Sequence, residues 1–324
     1  MIYPWQQKQY VNLVSAFKQG QLPHAMLLVG NQGMGKLDFA NEFSKFLLCE
    51  NTALQSSCGE CRSCTMFEAE SHPDFFTVTL LDKSKVIKID QVRDIIERLS
   101  KTSQIGKKVV IIHPADKMNV ASANAPLKTL EEPPGDVLIM LITSIPAKLP
   151  ATVVSRCQRI NFTSQDRQGM IDWLSENGNQ DADLLLRHSF DSPLMVDALA
   201  SQNYLPLRDE LVDMLGRACL SGENILPAIP ALLKQDVQMI MRALLSLASD
   251  LIKIRMQAST DYLINIDMFD RLQRIAFKFD ASGLYRIHGS LVEARQQLDS
   301  GTHVNVQLLF ESLFLMWMSG GVGV

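Results

Sequence analysis

A glycine-rich stretch near the N-terminus has the residue types and spacing of a phosphate-binding loop. Its sequence is Gly-Asn-Gln-Gly-Met-Gly-Lys, with glycines at Gly30, Gly33 and Gly35 and the lysine at Lys36. Glycines let backbone N–H groups close around a phosphate at a helix N-terminus, and the lysine neutralises its charge. The next position normally holds a Ser or Thr hydroxyl that binds Mg²⁺, but Leu37 offers no oxygen. An isolated match also suits a plain strand-to-helix turn. The strand–loop–helix context favours a phosphate loop, and whether this loop binds nucleotide stays open.

The acidic half of a nucleotide-hydrolysing site is missing from its expected place. An apolar strand pattern at 109–112 runs directly into His113 and Pro114, where two carboxylates would stand. Imidazole is a poorer Mg²⁺ ligand than carboxylate, and a proline cannot activate water. Asp116 lies two residues beyond the expected glutamate position. Because the hydroxyl and both acids are missing together, we expect no ATP hydrolysis by this chain.

Four cysteines within sixteen residues form a candidate metal site. They are Cys49, Cys58, Cys61 and Cys64. Four thiolates complete the tetrahedral shell of Zn²⁺ and leave no open position, so the pattern predicts a structural zinc site. An iron–sulfur cluster or unliganded thiols are the alternatives. Cys157 and Cys219 are isolated, and we expect both to be small buried residues.

The first half of the chain alternates strand and helix patterns. Five apolar runs predict strands, and several are unbroken enough to be buried on both faces. They span residues 26–29, 75–81, 109–113, 137–143 and 158–162. Helical patterns lie between them, for example at 90–101 and 119–131. This alternation predicts a parallel sheet flanked by helices.

Helical patterns alone follow the last strand. They begin at Thr163 or Ser164, a good N-cap pair. Breaks are expected at residues 177–178, 191–193, 221–222 and 300–301. The chain is therefore predicted to have three domains, with the cysteine module inserted into the first. They are an α/β domain at 1–163 with the module at 49–64, a small helical domain at 164–205 and a larger helical domain at 206–324.

Bulk composition restricts the function classes. The 324 residues suit two or three domains, and 47% hydrophobic with 20% charged residues can build a sizeable core. A net charge of −4 does not suit a protein whose whole surface grips phosphates. The N-terminus lacks a signal-peptide pattern, and the apolar tail at 308–318 is too short to span a bilayer and predicts a buried helix. We expect a cytoplasmic protein without membrane contact, in a compartment where clustered cysteines bind metal.

The order of these motifs resembles that of bacterial clamp-loader subunits of the AAA+ type. After the loop and the cysteine module come Leu-Lys-Thr-Leu-Glu-Glu-Pro-Pro at 127–134 and Ser-Arg-Cys at 155–157. Motor subunits of that family, gamma and tau, keep intact nucleotide motifs, whereas delta-prime subunits tend to lose them, so the chain looks like the delta-prime type. The resemblance implies an AAA+-type α/β P-loop domain with a parallel sheet, a small helical lid domain and an all-α C-terminal collar domain.

The resemblance also implies roles and partners. Arg156 of Ser-Arg-Cys would be an arginine finger that reaches the ATP of a neighbouring subunit, where a guanidinium stabilises charge on the γ-phosphate. An ordinary surface arginine is the alternative, and Thr143 matches the first sensor position of the family. The expected partners are the delta and gamma/tau subunits in a hetero-oligomer. Through them the chain would serve the sliding clamp and primed DNA, within the DNA polymerase III holoenzyme, a DNA-directed DNA polymerase.

Two departures and three rival functions remain at the sequence level. Pro126 should kink the helix at 119–131, and the segment at 191–193 lacks the arginine that active relatives use to sense nucleotide. An active motor-type ATPase is disfavoured by Leu37, His113 and Pro114. A zinc-dependent nucleic-acid-binding protein is disfavoured by the acidic net charge and by sparse basic residues in the cysteine module. A small-molecule kinase does not suit the long helical second half.

Overall fold

The chain divides into two compact units. The computed structural model describes residues 1–51, 55–81, 84–101, 103, 106–163, 166–299 and 304–320. Unit 1 comprises Met1–Gly178 and Ser192–Met195, and unit 2 comprises Asn179–Asp191 and Val196–Val324. The helices expected between 164 and 205 are thereby shared between the two units.

A five-stranded parallel sheet forms the centre of unit 1, as predicted. Its order is β2-β3-β4-β1-β5, and every neighbouring pair is parallel. The inner strands β3 and β4 are buried along their whole length, which agrees with their unbroken apolar sequences, whereas most of edge strand β5 is exposed. The strands are β1 (Ala25–Gly30), β2 (Phe75–Val78), β3 (Lys108–Ile112), β4 (Val137–Thr143) and β5 (Gln158–Phe162).

Two of the strand boundaries were predicted too far along the chain. Strand β2 ends at Val78 rather than at residue 81, and β3 ends at Ile112, so His113 lies just beyond it. The last bond of this pair runs from the His113 N–H to the Val78 carbonyl, at 2.9 Å. The N–H of residue 114 would face β4 rather than β2, so Pro114 ends the ladder between β3 and β4.

The described residues of unit 1 also form eight α-helices. They are α1 (Gln7–Lys18), α2 (Lys36–Leu48), α3 (Arg62–Glu68), α4 (Ile89–Leu99), α5 (Val120–Asn124), α6 (Leu127–Glu131), α7 (Ala151–Val154) and α8 (Arg167–Glu176). Pro126 divides the helix predicted at 119–131 into α5 and α6, because it lacks the N–H and clashes with the preceding turn. The expected helix start at Thr163 or Ser164 was wrong, although Ser164 lies outside the described residues. Helix α8 begins at Arg167, and its N-cap Asp166 accepts a bond from the Gly169 N–H at 3.0 Å.

Unit 2 is helical in its described part. Its helices are α9 (Ala182–His188), α10 (Val196–Ser201), α11 (Tyr204–Ser221), α12 (Ile229–Leu232), α13 (Val237–Arg255), α14 (Phe269–Ala276), α15 (Ala281–Asp299) and α16 (Val306–Met318). Helix α11 ends at Gly222 in a left-handed conformation, which confirms the break predicted there. The break expected at 300–301 lies outside the described residues.

Helix α16 carries the apolar tail of the sequence. Phe310, Phe314 and Trp317 are buried within unit 2, which confirms the prediction of a buried helix. Leu308, on the same helix, is 63% exposed. No helix of the described residues is long and apolar enough to cross a membrane.

Candidate functional site

The glycine-rich loop connects β1 to α2 as predicted. Gly33 and Gly35 adopt left-handed conformations with φ of 83° and 73°, and Gly35 is the N-cap of α2. A Cβ atom on Gly33 would lie 2.5 Å from Met195 Cγ. A Cβ atom on Gly35 would lie 2.6 Å from the Tyr3 ring. Glycine is therefore required here both by the turn and by the close approach of other parts of the chain.

Residues 3–6, which we call the N-terminal hook, cover one side of this loop. The fully buried Gln6 amide donates to the carbonyls of Met34 and Gly35, each at 2.8 Å. The Trp5 indole N–H also donates to the Met34 carbonyl at 3.2 Å. The Tyr3 hydroxyl donates to an Asp38 carboxylate oxygen in the first turn of α2, at 3.2 Å. The hook thus occupies carbonyl groups of the loop itself.

Residues 192–195, which we call the strap, cover the loop on another side. The Leu194 N–H donates to the Gly33 carbonyl at 3.1 Å. The Met195 side chain lies over Gly33, where a Cβ atom would clash. The strap includes Ser192 and Pro193 of the segment 191–193, which was predicted to lack a nucleotide-sensing arginine, and both Leu194 and Met195 contact the loop.

Lys36 is turned back onto its own loop. Its ammonium donates to the carbonyls of Gly30 and Asn31, each at 2.7 Å, and to the Ser144 hydroxyl at 3.3 Å. The side chain is 6% exposed. Burial lowers the pKa of Lys36 to about 8, and the nearby charge of Asp116 opposes this shift. All three ammonium hydrogens are thus engaged by acceptors of the chain.

The charge of Asp116 acts on Lys36, but this carboxylate is bonded to the end of β4. It accepts from the Thr143 hydroxyl at 2.9 Å and from the Ser144 N–H at 3.2 Å. The hydrogen of the Thr143 hydroxyl is therefore donated to Asp116 within the chain. Asp116 was placed two residues beyond the expected glutamate position, and Ser144 was not predicted as part of the site. The short helical turn Ala115–Lys117 contacts β4 and brings Asp116 to the end of that strand.

His113 stands where a metal-binding acid was expected. Burial lowers its pKa, and the positive charge of Lys36 lowers it further. The imidazole is thus kept neutral, and its Nδ1 atom is buried without a hydrogen-bond partner among the described residues. A neutral ring with this neighbour is unsuited to holding Mg²⁺.

The four clustered cysteines converge as predicted. Their sulfur atoms all lie within 4.8 Å of one another, with Cys49–Cys61 and Cys58–Cys64 each at 4.0 Å. A tetrahedral ion with metal–sulfur bonds of about 2.3 Å requires sulfur separations of about 3.8 Å. The donor set and its spacing therefore suit one metal ion with four thiolate ligands.

Backbone N–H groups near the cluster point at its sulfur atoms. The N–H groups of Cys58, Cys61 and Cys64 each point at a sulfur of the cluster, at 3.4 Å. Backbone N–H groups, first that of Glu60, lower the pKa of Cys58 to about 6, whereas burial raises the pKa of Cys64 to about 12. A bound cation would favour the thiolate form of the whole set.

Cys157 and Cys219 lie apart from this cluster. Both are half-buried, and Cys157 packs against the core beneath the sheet. Burial raises the pKa of Cys157 to about 11 and that of Cys219 to about 12. High thiol pKa values make both unreactive packing residues, which agrees with the expectation of small, largely buried side chains.

Arg156 lies on the turn between α7 and edge strand β5. Its Nε donates to Glu131 Oε1 at 2.7 Å, and its NH2 group donates to the same oxygen. Its NH1 group donates to the Thr152 carbonyl at 2.8 Å. The side chain is 34% exposed. Within the described residues these are its polar contacts, so the structure does not bring Arg156 together with the loop of Lys36.

Two family models match the chain, and together they cover most of it. The model described as "DNA polymerase III, delta subunit" matches residues 5–166. The model described as "DNA polymerase III, delta subunit, C terminal" matches residues 202–319.

Curated relatives match over nearly the whole length. A DNA polymerase III subunit delta' from Pseudomonas aeruginosa is 30% identical, covering 98% of this chain and 98% of its own. The subunit delta' from Escherichia coli K12 is 32% identical, covering 97% of this chain and 94% of its own. Among solved structures, a DNA polymerase III gamma subunit-related protein from Thermotoga maritima is 17% identical, with a TM-score of 0.45 over 96% of this chain and 100% of its own. That TM-score is too low to support a structural argument.

Proposed function

Because the chain belongs to the DNA polymerase III delta-prime family, we propose that it acts in a clamp-loader complex as a subunit without ATPase activity of its own. Full-length similarity to delta' subunits supports membership in the complex. One observation supports both parts of this proposal: Lys36 is bonded to its own loop, whereas Arg156 is partly exposed. The proposed partners are the delta and gamma/tau subunits. The sliding clamp and primed DNA would be reached through them.

The proposed lack of hydrolysis depends on several groups at once. Leu37 supplies no hydroxyl, and His113 and Pro114 supply no carboxylate. A nucleotide would also have to draw Lys36 away from three acceptors within the loop region. Nucleotide binding is therefore proposed to be weak, and Leu37→Ser alone should restore no activity. Turnover of ATP by the isolated chain, lost in Lys36→Ala, would contradict this reading.

Arg156 is proposed to act in trans on the ATP of a neighbouring subunit. A guanidinium delivered to the transferring phosphate accelerates related reactions by about 10³–10⁵ at one site. Only one of several sites in a ring would feel this residue, so Arg156→Ala should lower the DNA-stimulated ATPase of the reconstituted complex only in part. Arg156→Lys should rescue poorly, because an ammonium lacks the planar fork that spans two phosphate oxygens.

A matched control for this experiment lies on the adjacent strand. Arg159 is exposed and donates to its own neighbour, the Asn161 side chain, at 2.7 Å. Arg159→Ala removes the same charge from the same edge of the sheet, and it should leave the ATPase of the complex unchanged. Equal activity of the wild-type and Arg156→Ala complexes, with normal assembly, would reduce Arg156 to a surface arginine.

The metal of the four-cysteine site is proposed to be Zn²⁺ in a structural role. Its residues are Cys49, Cys58, Cys61 and Cys64, and four thiolates leave no open position for catalysis. Cys61→Ser should release one metal ion per chain and loosen the surroundings of α3, whereas Cys157→Ser should keep the metal. Elemental analysis that finds iron, or no metal in protein purified without chelators, would rule out zinc.

The C-terminal helices are proposed to form the collar that joins the subunits. In unit 2, the side chains of Tyr285 and Leu308 are 55% and 63% exposed, so a partner subunit can contact them. We retain residues 164–205 as a lid domain and 206–324 as the collar in this proposal. Leu308→Lys should weaken co-elution with delta and gamma/tau subunits, whereas Val120→Lys in α5 should not.

A further inference from the structure

We propose that Glu131 is a positioning residue for Arg156, one that orients the guanidinium toward the phosphate groups of a neighbouring subunit. This inference rests on the proposed role of Arg156 in trans. Glu131 is the last residue of α6 and belongs to the Leu-Lys-Thr-Leu-Glu-Glu-Pro-Pro run, for which no role has been assigned so far.

The hydrogen bonds of Arg156 leave two N–H hydrogens of its guanidinium without an acceptor among the described residues. A guanidinium carries five N–H hydrogens. Glu131 Oε1 accepts one from Nε and one from NH2, and the Thr152 carbonyl accepts one from NH1. One hydrogen therefore remains on each terminal nitrogen. Two N–H groups on neighbouring nitrogens are the arrangement that binds two phosphate oxygens at once.

Glu131 and Thr152 hold the guanidinium from two different elements. Glu131 ends α6, and Thr152 lies in α7. The orientation of the guanidinium plane of Arg156 is therefore set by the packing of both helices. Helix α6 is itself anchored, because Leu130 is 1% exposed and its carbonyl lies 2.8 Å from His24 Nε2. An arginine held in one rotamer loses less conformational entropy when it binds a phosphate.

Pro126 helps to place Glu131, because it separates α5 from α6. It ends α5 and allows α6 to start as a separate helix, with the Leu130 N–H bonded to the Pro126 carbonyl at 2.8 Å. The carboxylate of Glu131 thus projects from a short element of its own rather than from the end of one long helix. The break that the sequence predicted without a functional reason therefore defines where Glu131 stands.

The pair does little for folding, which makes the inference testable. The Glu131 side chain is 50% exposed and that of Arg156 34% exposed, and ion pairs in such surroundings add little to stability. Glu132, the next residue, makes no side-chain hydrogen bond or ion pair within the part of the chain that the structure describes. Glu132→Gln is therefore a matched control for Glu131→Gln.

The experiment compares complexes reconstituted with wild-type chain, Glu131→Gln, Arg156→Ala, the double variant and Glu132→Gln. DNA-stimulated ATPase is measured over a range of ATP concentrations. Glu131→Gln should lower kcat by about twofold to threefold and leave KM for ATP unchanged, because Arg156 acts on the transition state at a site that binds ATP with other residues. In the Arg156→Ala background the same change should have no further effect. Metal content, assembly and melting temperature should match the wild type throughout.

The outcomes separate this inference from the role of Arg156 itself. If Arg156→Ala lowers activity but Glu131→Gln does not, the positioning role is wrong and the finger stands. An equal loss from Glu131→Gln with and without Arg156 would show that Glu131 acts elsewhere. A gain in activity would show that Glu131 restrains the arginine, which also overturns the inference. If Arg156→Ala has no effect, both the finger and its positioning residue are wrong.

Discussion

Two cationic side chains of unit 1 stand in opposite surroundings. Lys36 is 6% exposed, and all its ammonium hydrogens go to acceptors of its own chain. Arg156 is 34% exposed, and within the described residues two of its N–H groups have no acceptor after its bonds to Glu131 and Thr152. Burial disfavours the charge of Lys36, and the acceptors of its loop compensate this only in part, whereas the charge of Arg156 is partly exposed to solvent. Under our proposal, the loop of Lys36 serves the fold and Arg156 serves a neighbouring subunit.

Two other parts of unit 1 contact the glycine-rich loop. The hook at residues 3–6 and the strap at 192–195 both bond to loop carbonyls. The glycines that a phosphate would require are here required by Tyr3 and Met195. Substitutions in the loop should therefore change stability, and substitutions at the arginine edge should change the activity of the complex.

The largest stability effect is expected for Gly35→Ala. The new Cβ would meet the Tyr3 ring at 2.6 Å and would sit at a φ of 73°, so the free energy of unfolding should fall by about 2–4 kcal/mol. Gly20→Ala is the matched control, because Gly20 has a φ of 69° but nothing within 4 Å of its added Cβ. Chemical denaturation of both variants measures the difference. Equal losses of unfolding free energy in the two variants would mean that the contact between Tyr3 and Gly35 does not limit the side chain at position 35.

A smaller, pH-dependent effect is expected for Lys36→Met. Burial lowers the pKa of Lys36 to about 8 from its ordinary 10.5, so between these values the unfolded state binds more protons than the folded state. Stability of the wild type should therefore rise relative to Lys36→Met as pH increases from 8 toward 10.5, by about 2 kcal/mol. Denaturation of both proteins at pH 7 and pH 10 tests this. A constant difference would show that Lys36 is not desolvated by its loop.

The smallest stability effect is expected for Arg156→Ala. Its partner Glu131 is half exposed, so the free energy of unfolding should change by about 0.5 kcal/mol or less. The same variant should nevertheless lower the ATPase of the complex, which Gly35→Ala at a permissive temperature should leave intact. A thermal melt combined with the complex assay makes the comparison. If Arg156→Ala destabilises the chain as strongly as Gly35→Ala, the contrast between the two regions fails.

Local patterns explain how much of the fold could be predicted. The strand patterns at 137–143 and 158–162 coincide with β4 and β5, because their strand character comes from neighbouring residues. The end of β2 and the start of α8 were predicted less well. The end of β2 depends on its pairing with β3, which the local pattern of β2 does not contain. Asp166, the N-cap of α8, stands directly before that helix and was a local signal that the prediction missed.

The sequence by itself determined which chemistry the chain carries and which it lacks. The spacing of Gly30 to Lys36, the four-cysteine cluster and the replacement of a hydroxyl by Leu37 are local facts that need no fold. Only the tertiary structure decided what those groups touch. It brings the hook and the strap onto the loop, and it joins Arg156 to Glu131 across 25 residues of sequence. The reason is physical: hydrogen-bond partners and burial depend on which elements pack together, and packing between distant segments leaves no trace in the spacing of either one.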